Sequence, residues 1–219
     1  MVFAPSDSKK KQETLLAPLR HSRRPQSGIH LGFLLNSSKN DTSQELQNTK
    51  FMNIVLIGYR GTGKSTVAKI LGQRLKREVI STDAEIVKEA GQSIPQIVEQ
   101  FGWDHFRELE TQMCRKLQDQ NELVIDTGGG LILKEENVKI LRGNGKIFWL
   151  TAEVSTIASR ISGDNQRPSL SGTKSFVEEI EDILKERTPK YQAAADHVIP
   201  TDQISPEHIA DTILSRIST

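Results

Sequence analysis

The amino-acid sequence predicts an α/β fold, with one five-stranded parallel sheet and helices on both of its faces. From residue 52 onward, five short apolar runs alternate with longer segments of helical periodicity, which is the order that builds such a sheet. The stretch 58–65 follows the first apolar run and fits the pattern G-x-x-x-x-G-K-S. Acidic residues and glycines follow the second and third runs, at the sheet edge where ligands bind in this class of fold.

The composition fits a single domain and argues against several classes of protein. The 219 residues are 36% hydrophobic and 26% charged, and the formal net charge is +1. A net charge this small provides no overall attraction to nucleic acid or membranes, and no apolar run reaches the length of a transmembrane helix. A single cysteine, Cys114, excludes an internal disulfide and a cysteine-rich metal site. We expect a cytoplasmic monomer that binds neither nucleic acid nor membrane.

Residues 1–51 differ in composition from the remainder of the chain. Residues 1–50 contain 8 Lys and Arg against 4 Asp and Glu, and residues 36–49 are rich in Ser, Asn, Gln and Thr. We expect a disordered extension or, because Met52 stands directly before the first strand, a translation start that was assigned too early. The folded domain is therefore predicted to span residues 52–219.

The segment from the first strand into the first helix predicts a nucleotide-phosphate site. Glycines between the apolar run and the helical pattern allow positive φ angles, so successive backbone N–H groups can surround an anion at the helix N-terminus. Lys64 is expected to reach the β- and γ-phosphates, and the Ser65 hydroxyl is expected to bind Mg²⁺. Kinases, GTPases, ATPases and motors all use such a loop, so it does not separate them. The predicted nucleotide-binding residues of the loop are Gly61, Thr62, Gly63, Lys64, Ser65 and Thr66.

Four more strands and the helices between them complete the predicted fold. Helix boundaries follow from local signals: Gly91 ends one helix, Ser93 and Gln96 form a capping box for the next, and Thr188-Pro189 interrupts a late one. The further strands are predicted at 79–82, 123–126, 146–150 and 197–200. Helices are predicted at 84–90, from 93 onward, and at 102–118, 134–141, 154–161, 176–195 and 205–217.

Polar residues and glycines fall at the predicted carboxyl ends of two strands. Asp83 follows the second strand, Asp126 ends the third, and Gly128, Gly129 and Gly130 come directly after it. In a parallel sheet these ends lie at one edge, beside the phosphate loop. Asp83 has a second interpretation as the N-cap of the next helix. The convergence predicts one binding site at this edge.

Together with the phosphate loop, several further motifs make residues 52–219 resemble shikimate kinase. Their order and spacing match that family, and we do not expect the full set in gluconate or nucleoside monophosphate kinases. The resemblance implies a P-loop kinase fold with a mobile lid at about residues 163–174. The motifs are Thr82-Asp83, Gly102-Trp103-Asp104-His105-Phe106-Arg107 with Glu110, Thr127-Gly128-Gly129-Gly130, Arg167-Pro168-Ser169-Leu170 and Arg187-Thr188-Pro189-Lys190-Tyr191.

The resemblance implies ATP-dependent phosphorylation of the 3-hydroxyl of shikimate with Mg²⁺, which gives shikimate 3-phosphate and ADP. Arg107 and Arg187 are similar to the family's carboxylate-binding arginines, and a guanidinium can donate two parallel hydrogen bonds to a carboxylate. Asp83 would orient or deprotonate the attacking hydroxyl. The predicted substrate-binding residues are Asp83, Arg107, Gly128, Gly129, Gly130 and Arg187.

Two more arginines receive roles from the resemblance. Arg167 falls in the predicted lid and would bring a positive charge close to the transferring phosphoryl group when the lid closes. Together with Lys64 and Asp83, it completes the set of predicted catalytic residues. Arg160 is similar to an arginine on the nucleotide side. The cofactors implied are ATP and Mg²⁺, and the partner implied is shikimate.

One position departs from the family pattern. The family usually has Asp-Thr-Asp after the second strand, and its first Asp helps to hold Mg²⁺ through water, whereas this chain has Ser81-Thr82-Asp83. The third strand ends in Asp126, where the family more often has a small residue, and an apolar run followed by Asp is the Walker-B pattern. We therefore predict that Ser65 and Asp126 form the metal site.

Two alternative functions stay open on the sequence. The chain could be a related kinase that acts on another hydroxy acid or polyol. That function would not explain why both Arg107 and Arg187 are present. It could also be a kinase-like binding protein without turnover, which Ser81 favours and which the presence of Lys64, Asp83 and Arg167 disfavours. Trp103 is equally compatible with packing and with substrate contact.

Overall fold

The structure, a computed structural model, describes residues 52–161 and 176–217. It contains a five-stranded sheet in the order β2-β3-β1-β4-β5, in which every pairing is parallel. The predicted fold class is confirmed. The predicted extension at 1–51, the predicted lid at 163–174 and Arg167 lie outside the described residues.

One or two α-helices separate successive strands along the described part of the chain. A short 3₁₀ helix, Leu131–Leu133, follows the third strand. The strands are β1 Asn53–Ile57, β2 Val79–Ser81, β3 Val124–Asp126, β4 Gly145–Thr151 and β5 His197–Pro200. The helices are α1 Lys64–Leu75, α2 Thr82–Ala90, α3 Ile94–Leu117, α4 Glu135–Gly143, α5 Val154–Ile161, α6 Phe176–Ala194 and α7 Pro206–Ile217.

Side chains alternate between the two faces of the central strand, and each face has its own core. Ile54 and Leu56 pack with apolar residues of α1 and α7, whereas Val55 and Ile57 pack with residues of α2, α3, α4 and α6. All five residues of β1 are buried because helices cover both faces of the sheet. The apolar run that predicted this strand therefore reflects burial on both sides.

The sheet register places the predicted site residues side by side. Asp126 at the end of β3 pairs with Ser81 of β2 on one side and with Leu56 of β1 on the other. The phosphate loop leaves β1 directly after this row. The carboxyl ends of β1, β2 and β3 thus form one edge, as the sequence predicts.

One helix start and one helix boundary differ from the prediction. Helix α2 begins at Thr82, and the Ser81 side chain accepts a hydrogen bond from the Ala84 amide as its N-cap, so the interpretation of Asp83 as the cap is wrong. Helix α3 begins at Ile94 after the predicted capping box, in which the Gln96 side chain accepts from the Ser93 amide at 2.9 Å. It then continues as one helical segment with a kink at Gly102, where φ is 83°.

The predicted interruption of the late helix is also wrong, because α6 continues through Pro189. Proline removes one backbone hydrogen bond within a helix. The buried contacts of Ile180, Ile183 and Tyr191 hold α6 against the rest of the domain and offset that loss. In the described residues no helix is long and apolar enough to span a membrane.

Candidate active site

The phosphate loop has the backbone conformation that its glycines permit. Gly61 and Gly63 have φ angles of 81° and 90°, in the left-handed region that other residues rarely adopt. At Gly58, with φ 142°, a side chain would collide with the carbonyl oxygen of Leu150. Gly63 is the N-cap of α1, and no side chain caps this helix. The first amide groups of α1 are therefore directed into the loop, which is the arrangement that binds phosphate.

Lys64 lies across the inner side of this loop. Its side chain is buried, and Nζ donates to the carbonyl oxygens of Gly58 at 2.8 Å and Tyr59 at 3.0 Å. The Thr62 hydroxyl also donates to the Tyr59 carbonyl, at 2.8 Å. The loop thereby holds a positive charge at a fixed place beside the helix N-terminus.

Ser65 and Asp126 form a hydrogen-bonded pair at the base of the loop. The Ser65 hydroxyl donates to Oδ2 of Asp126 at 2.6 Å. Burial raises the pKa of Asp126, whereas Lys64 and the Ser65 hydroxyl partly stabilise its charged form. Two adjacent oxygen ligands of this kind suit a hard dication such as Mg²⁺. Among the described residues, no group of three or more acidic, His or Cys side chains could hold a metal, so any metal must draw other ligands from nucleotide or water.

A second pocket adjoins the phosphate loop. Asp83, in the first turn of α2, forms part of its wall. The Asp83 carboxylate lies so close to Gly128 that a side chain there would collide with it, and the Gly128 amide donates to the Thr82 hydroxyl at 3.0 Å. Glycine is therefore required at this position to leave room for the aspartate.

Arg107 enters the second pocket from α3 and is held on several sides. Its Nη1 donates to Oε2 of Glu110 at 2.5 Å, and the Glu110 side chain is only 1% exposed. The guanidinium carbon lies 5.2 Å from the centroid of the Trp103 ring and 5.5 Å from that of Phe106. A side chain at Gly130 would collide with the guanidinium. The ion pair and the two rings give Arg107 one defined orientation.

Arg187 reaches the same pocket from α6. Its Nη1 donates to the carbonyl oxygen of Gly129 at 3.1 Å. Its Nε is buried and has no hydrogen-bond partner among the described residues. Arg107 and Arg187 therefore approach the glycine run from two different helices. Both carry N–H groups that can donate hydrogen bonds to a carboxylate.

Arg160 lies at the rim of the phosphate pocket. Its Nη1 donates to the Gly61 carbonyl at 3.2 Å, and its Nη2 donates to the Thr201 carbonyl at 2.9 Å. The predicted nucleotide-side arginine is thus tied both to the phosphate loop and to the residue after β5. Thr66 lies in the wall of the same pocket, next to Ser65.

Comparison with known proteins decides the family. A profile of the shikimate kinase family matches residues 60–218. The chain is 42% identical over 164 residues to a shikimate kinase from Caldicellulosiruptor bescii, covering 74% of this chain and 94% of that one. The chain belongs to the shikimate kinase family. It is also 41% identical over 178 residues to a shikimate kinase from Syntrophus aciditrophicus, covering 76% of this chain and 91% of that one.

Solved structures agree with this membership of the shikimate kinase family. A shikimate kinase from Acinetobacter baumannii in complex with shikimate has a TM-score of 0.73 and 34% identity, covering 79% of this chain and 96% of that one. A shikimate kinase from Aquifex aeolicus has a TM-score of 0.65 and 33% identity, covering 75% and 95%. The predicted family and the predicted enzyme, with ATP as co-substrate, are confirmed.

The two pockets of this shikimate kinase family member meet along a short boundary. Arg60, Asp83, Gly128 and Gly129 belong to the walls of both pockets. An acceptor in the second pocket and a phosphate in the loop would therefore lie on either side of the Asp83 carboxylate. The sequence places these residues at one edge, and the structure brings them together.

Two residues of the site received no role from the sequence. Arg60 occupies a variable position of the loop pattern, and a positive charge within the loop was the visible signal for it. Glu110 is part of the motif that carries Arg107, and its spacing of three residues on a helix was the signal for the ion pair. Helical spacing alone does not show that Glu110 is buried, so its importance emerges only in the fold.

Proposed function

We propose that this chain transfers the γ-phosphoryl group of ATP to the 3-hydroxyl of shikimate, with the nucleotide in the phosphate pocket and shikimate in the second, acceptor pocket. The observation that supports this arrangement is the shared boundary of the two pockets at Asp83 and Gly128. Phosphoryl transfer depends mainly on positioning and charge stabilisation, which adjoining pockets provide.

Arg107 and Arg187 bind the carboxylate of the acceptor. Arg107 is already oriented by Glu110, and a buried carboxylate on one side leaves the remaining guanidinium donors directed into the pocket. Arg187 donates to the Gly129 carbonyl and also contacts the Tyr191 side chain, but its buried Nε has no hydrogen-bond partner among the described residues. The first arginine is therefore a fixed donor, and the second adapts to the ligand.

Asp83 receives the proton of the attacking hydroxyl. The hydroxyl oxygen forms a bond to the γ-phosphorus while the bond from that phosphorus to the bridging oxygen of ADP breaks. The proton of the hydroxyl passes to the Asp83 carboxylate, which lies at the boundary of the two pockets. Backbone groups of Gly128, Gly129 and Gly130 line the path and leave room for the ring.

Positive groups of the loop stabilise the negative charge of the phosphates. Lys64 and the amides at the start of α1 act on the β- and γ-phosphates, and Arg160 acts at the rim. Arg60 adds a positive charge at the boundary, where the phosphoryl group is transferred. Arg167, outside the described residues, keeps its predicted role as an arginine that joins the phosphoryl group.

Ser65 and Asp126 would hold Mg²⁺, directly or through water, in place of the aspartate that the family usually has at position 81. Support comes from the 2.6 Å hydrogen bond between the two side chains and from the oxygen chemistry of the pair. Bound Mg²⁺ would neutralise phosphate charge. The Ser81 hydroxyl has another task, since it caps α2. A monomeric state and a cytoplasmic location remain predictions.

The test is a coupled assay of ADP release with a panel of cyclic hydroxy acids and polyols. Shikimate is expected to give the highest kcat/KM, with quinate, cyclohexane polyols and gluconate at least about 100-fold lower, because they lose the fit of acid and hydroxyl groups together. Asp83→Asn is the control variant and should abolish shikimate-dependent release while it retains ATP binding. Another acceptor with a higher kcat/KM than shikimate, or no acceptor-dependent release at all, would overturn the proposal.

A further inference from the structure

Tyr191 belongs to the same sequence motif as Arg187, yet the reaction so far gives it no task. It is completely buried in α6, and its hydroxyl donates to the carbonyl oxygen of Gly129 at 2.5 Å. Arg187, one helical turn earlier, donates to the same oxygen at 3.1 Å. A carbonyl oxygen has two lone pairs, so groups from α6 satisfy both of them.

The ring that carries this hydroxyl is fixed by the sheet. Trp149 of β4 stacks on Tyr191, with ring centroids 5.5 Å apart and an interplanar angle of 13°. Burial raises the pKa of the Tyr191 hydroxyl, although Arg187 opposes this shift. The protonated hydroxyl is therefore favoured, and it acts as the donor to the Gly129 carbonyl.

Gly129 lies between this tyrosine and the phosphate loop. A Cβ atom built on Gly129 would lie 3.4 Å from the carbonyl oxygen of Gly58, 3.6 Å from the Arg60 amide nitrogen and 3.7 Å from the Tyr191 hydroxyl. Backbone atoms of the loop and the tyrosine hydroxyl therefore both border the space beside the Gly129 Cα, and the Gly129 carbonyl accepts from that hydroxyl. Gly129 is also in the wall of both pockets, whereas Tyr191 lines neither.

From these contacts we infer that the Tyr191 hydroxyl is a positioning group for phosphoryl transfer, which fixes the Gly129 peptide and with it the separation of the acceptor pocket from the phosphate loop. The inference rests on the proposed function, since it assigns the acceptor and the phosphates to these two pockets. It also accounts for the doubled contact at Gly129. When Arg187 turns toward an acceptor carboxylate, the tyrosine still satisfies the glycine carbonyl, so no buried acceptor is left without a donor.

Tyr191→Phe removes the hydroxyl and leaves the ring. We expect kcat to fall about fivefold to thirtyfold, because small displacements of reacting groups are costly in a reaction that depends on positioning. The KM values for shikimate and ATP should change by less than about threefold, since the groups that bind each substrate remain. The matched control is Trp149→Phe, which weakens packing on the same ring but keeps the hydroxyl. It should lower the melting temperature and leave kcat within about twofold of the wild type.

A second variant separates the donor from the ring. Replacement of Tyr191 by 4-aminophenylalanine keeps a hydrogen-bond donor at the same place, and its kcat should stay within about threefold of the wild type. A folded 4-aminophenylalanine variant with kcat reduced by tenfold or more would overturn the inference, as would a Tyr191→Phe enzyme with wild-type kcat. In both cases the wild type still turns over shikimate, whereas failure of the proposed function would appear as absent turnover in the wild type itself.

Discussion

The phosphate pocket and the acceptor pocket adjoin one another but are built in different ways. The phosphate-binding part of the phosphate pocket is one contiguous stretch, in which backbone amides and Lys64 supply positive charge. The acceptor pocket is assembled from side chains of α2, α3 and α6 around the glycines after β3. Arg187 depends on a partner from elsewhere in the chain, the Gly129 carbonyl, whereas Arg107 is oriented by residues of its own helix.

With the proposed function, this difference accounts for what each pocket would recognise. Phosphate is common to many substrates, and a glycine loop at a helix N-terminus binds it without reading the rest of the ligand. A ring carboxylate and a hydroxyl at a set distance require side chains from separate elements to converge. Selectivity for the acceptor therefore depends on the tertiary structure more than selectivity for phosphate does. Substitutions in the two pockets should accordingly affect different kinetic parameters.

The largest expected effect comes from the acceptor pocket. Arg107→Lys and Arg187→Lys should each lower kcat/KM for shikimate about 30- to 1000-fold, because lysine keeps the charge but loses the planar pair of donors. The KM for ATP should change by less than about threefold. Arg115→Lys, on the same helix as Arg107 but exposed and paired with Glu136, is the matched control and should have no effect. A shikimate kcat/KM within threefold of the wild type in either variant would remove that arginine from the carboxylate site.

An intermediate effect is expected in the phosphate pocket. Asp126→Asn should raise the Mg²⁺ concentration needed for half-maximal activity about 10- to 100-fold, because the amide no longer offers a charged oxygen. The double change Ser81→Asp with Asp126→Asn should restore part of the Mg²⁺ response. A Mg²⁺ titration of Asp126→Asn that coincides with that of the wild type would exclude the metal role.

The same substitution should affect stability in the opposite direction. Burial raises the pKa of Asp126 in the folded protein. Between the pKa of the unfolded state and that of the folded state, the folded protein binds more protons, so its stability falls as the pH rises through this range. Asp126→Asn removes the buried charge, so its melting temperature at pH 7 should exceed that of the wild type. The difference should disappear below about pH 4, where the unfolded carboxyl is also protonated. A lower melting temperature at pH 7 would show that the contacts of the charged carboxylate outweigh its desolvation.

The smallest effect is expected at Tyr59, within the phosphate loop. Its ring packs against Ile157, Ile161, Ile180 and Ile183, and its buried hydroxyl has no hydrogen-bond partner among the described residues. Removing an unsatisfied buried hydroxyl should be neutral or stabilising, so Tyr59→Phe should melt at the same temperature or a few degrees higher. A decrease of more than about 3 °C would indicate that the hydroxyl has a partner in solution.

The sequence predicts the phosphate pocket far better than the acceptor pocket, and the reason is physical. Strand β1 and the loop are local, because buried apolar residues and glycines determine the backbone there with little help from distant parts. The predicted end of β2 was one residue too late, since Thr82 begins α2 and Ser81, the last residue of the strand, caps that helix. The uninterrupted helix at Pro189 shows tertiary packing overriding a local preference.

The acceptor residues could be named only through the family resemblance, because they are scattered from Asp83 to Arg187. The resemblance names these residues but does not predict which hydrogen bonds and ion pairs they form. The spacing of Arg107 and Glu110 allows an ion pair, but the sequence does not show that it is buried. The direction of the Gly129 carbonyl, which accepts from both Arg187 and Tyr191, is a property of the folded backbone and has no sequence pattern.

The most direct test of two pockets with separate chemistry compares shikimate with its methyl ester, in the wild type and in Arg107→Lys. The ester keeps the ring and hydroxyls but carries no negative charge. In the wild type, kcat/KM for the ester should be about 30- to 1000-fold below that for shikimate, with the KM for ATP unchanged. In Arg107→Lys the acid and the ester should differ by less than about tenfold, because one of the two arginine contacts to the carboxylate has lost its pair of donors. An ester that the wild type uses within threefold of shikimate would contradict the account.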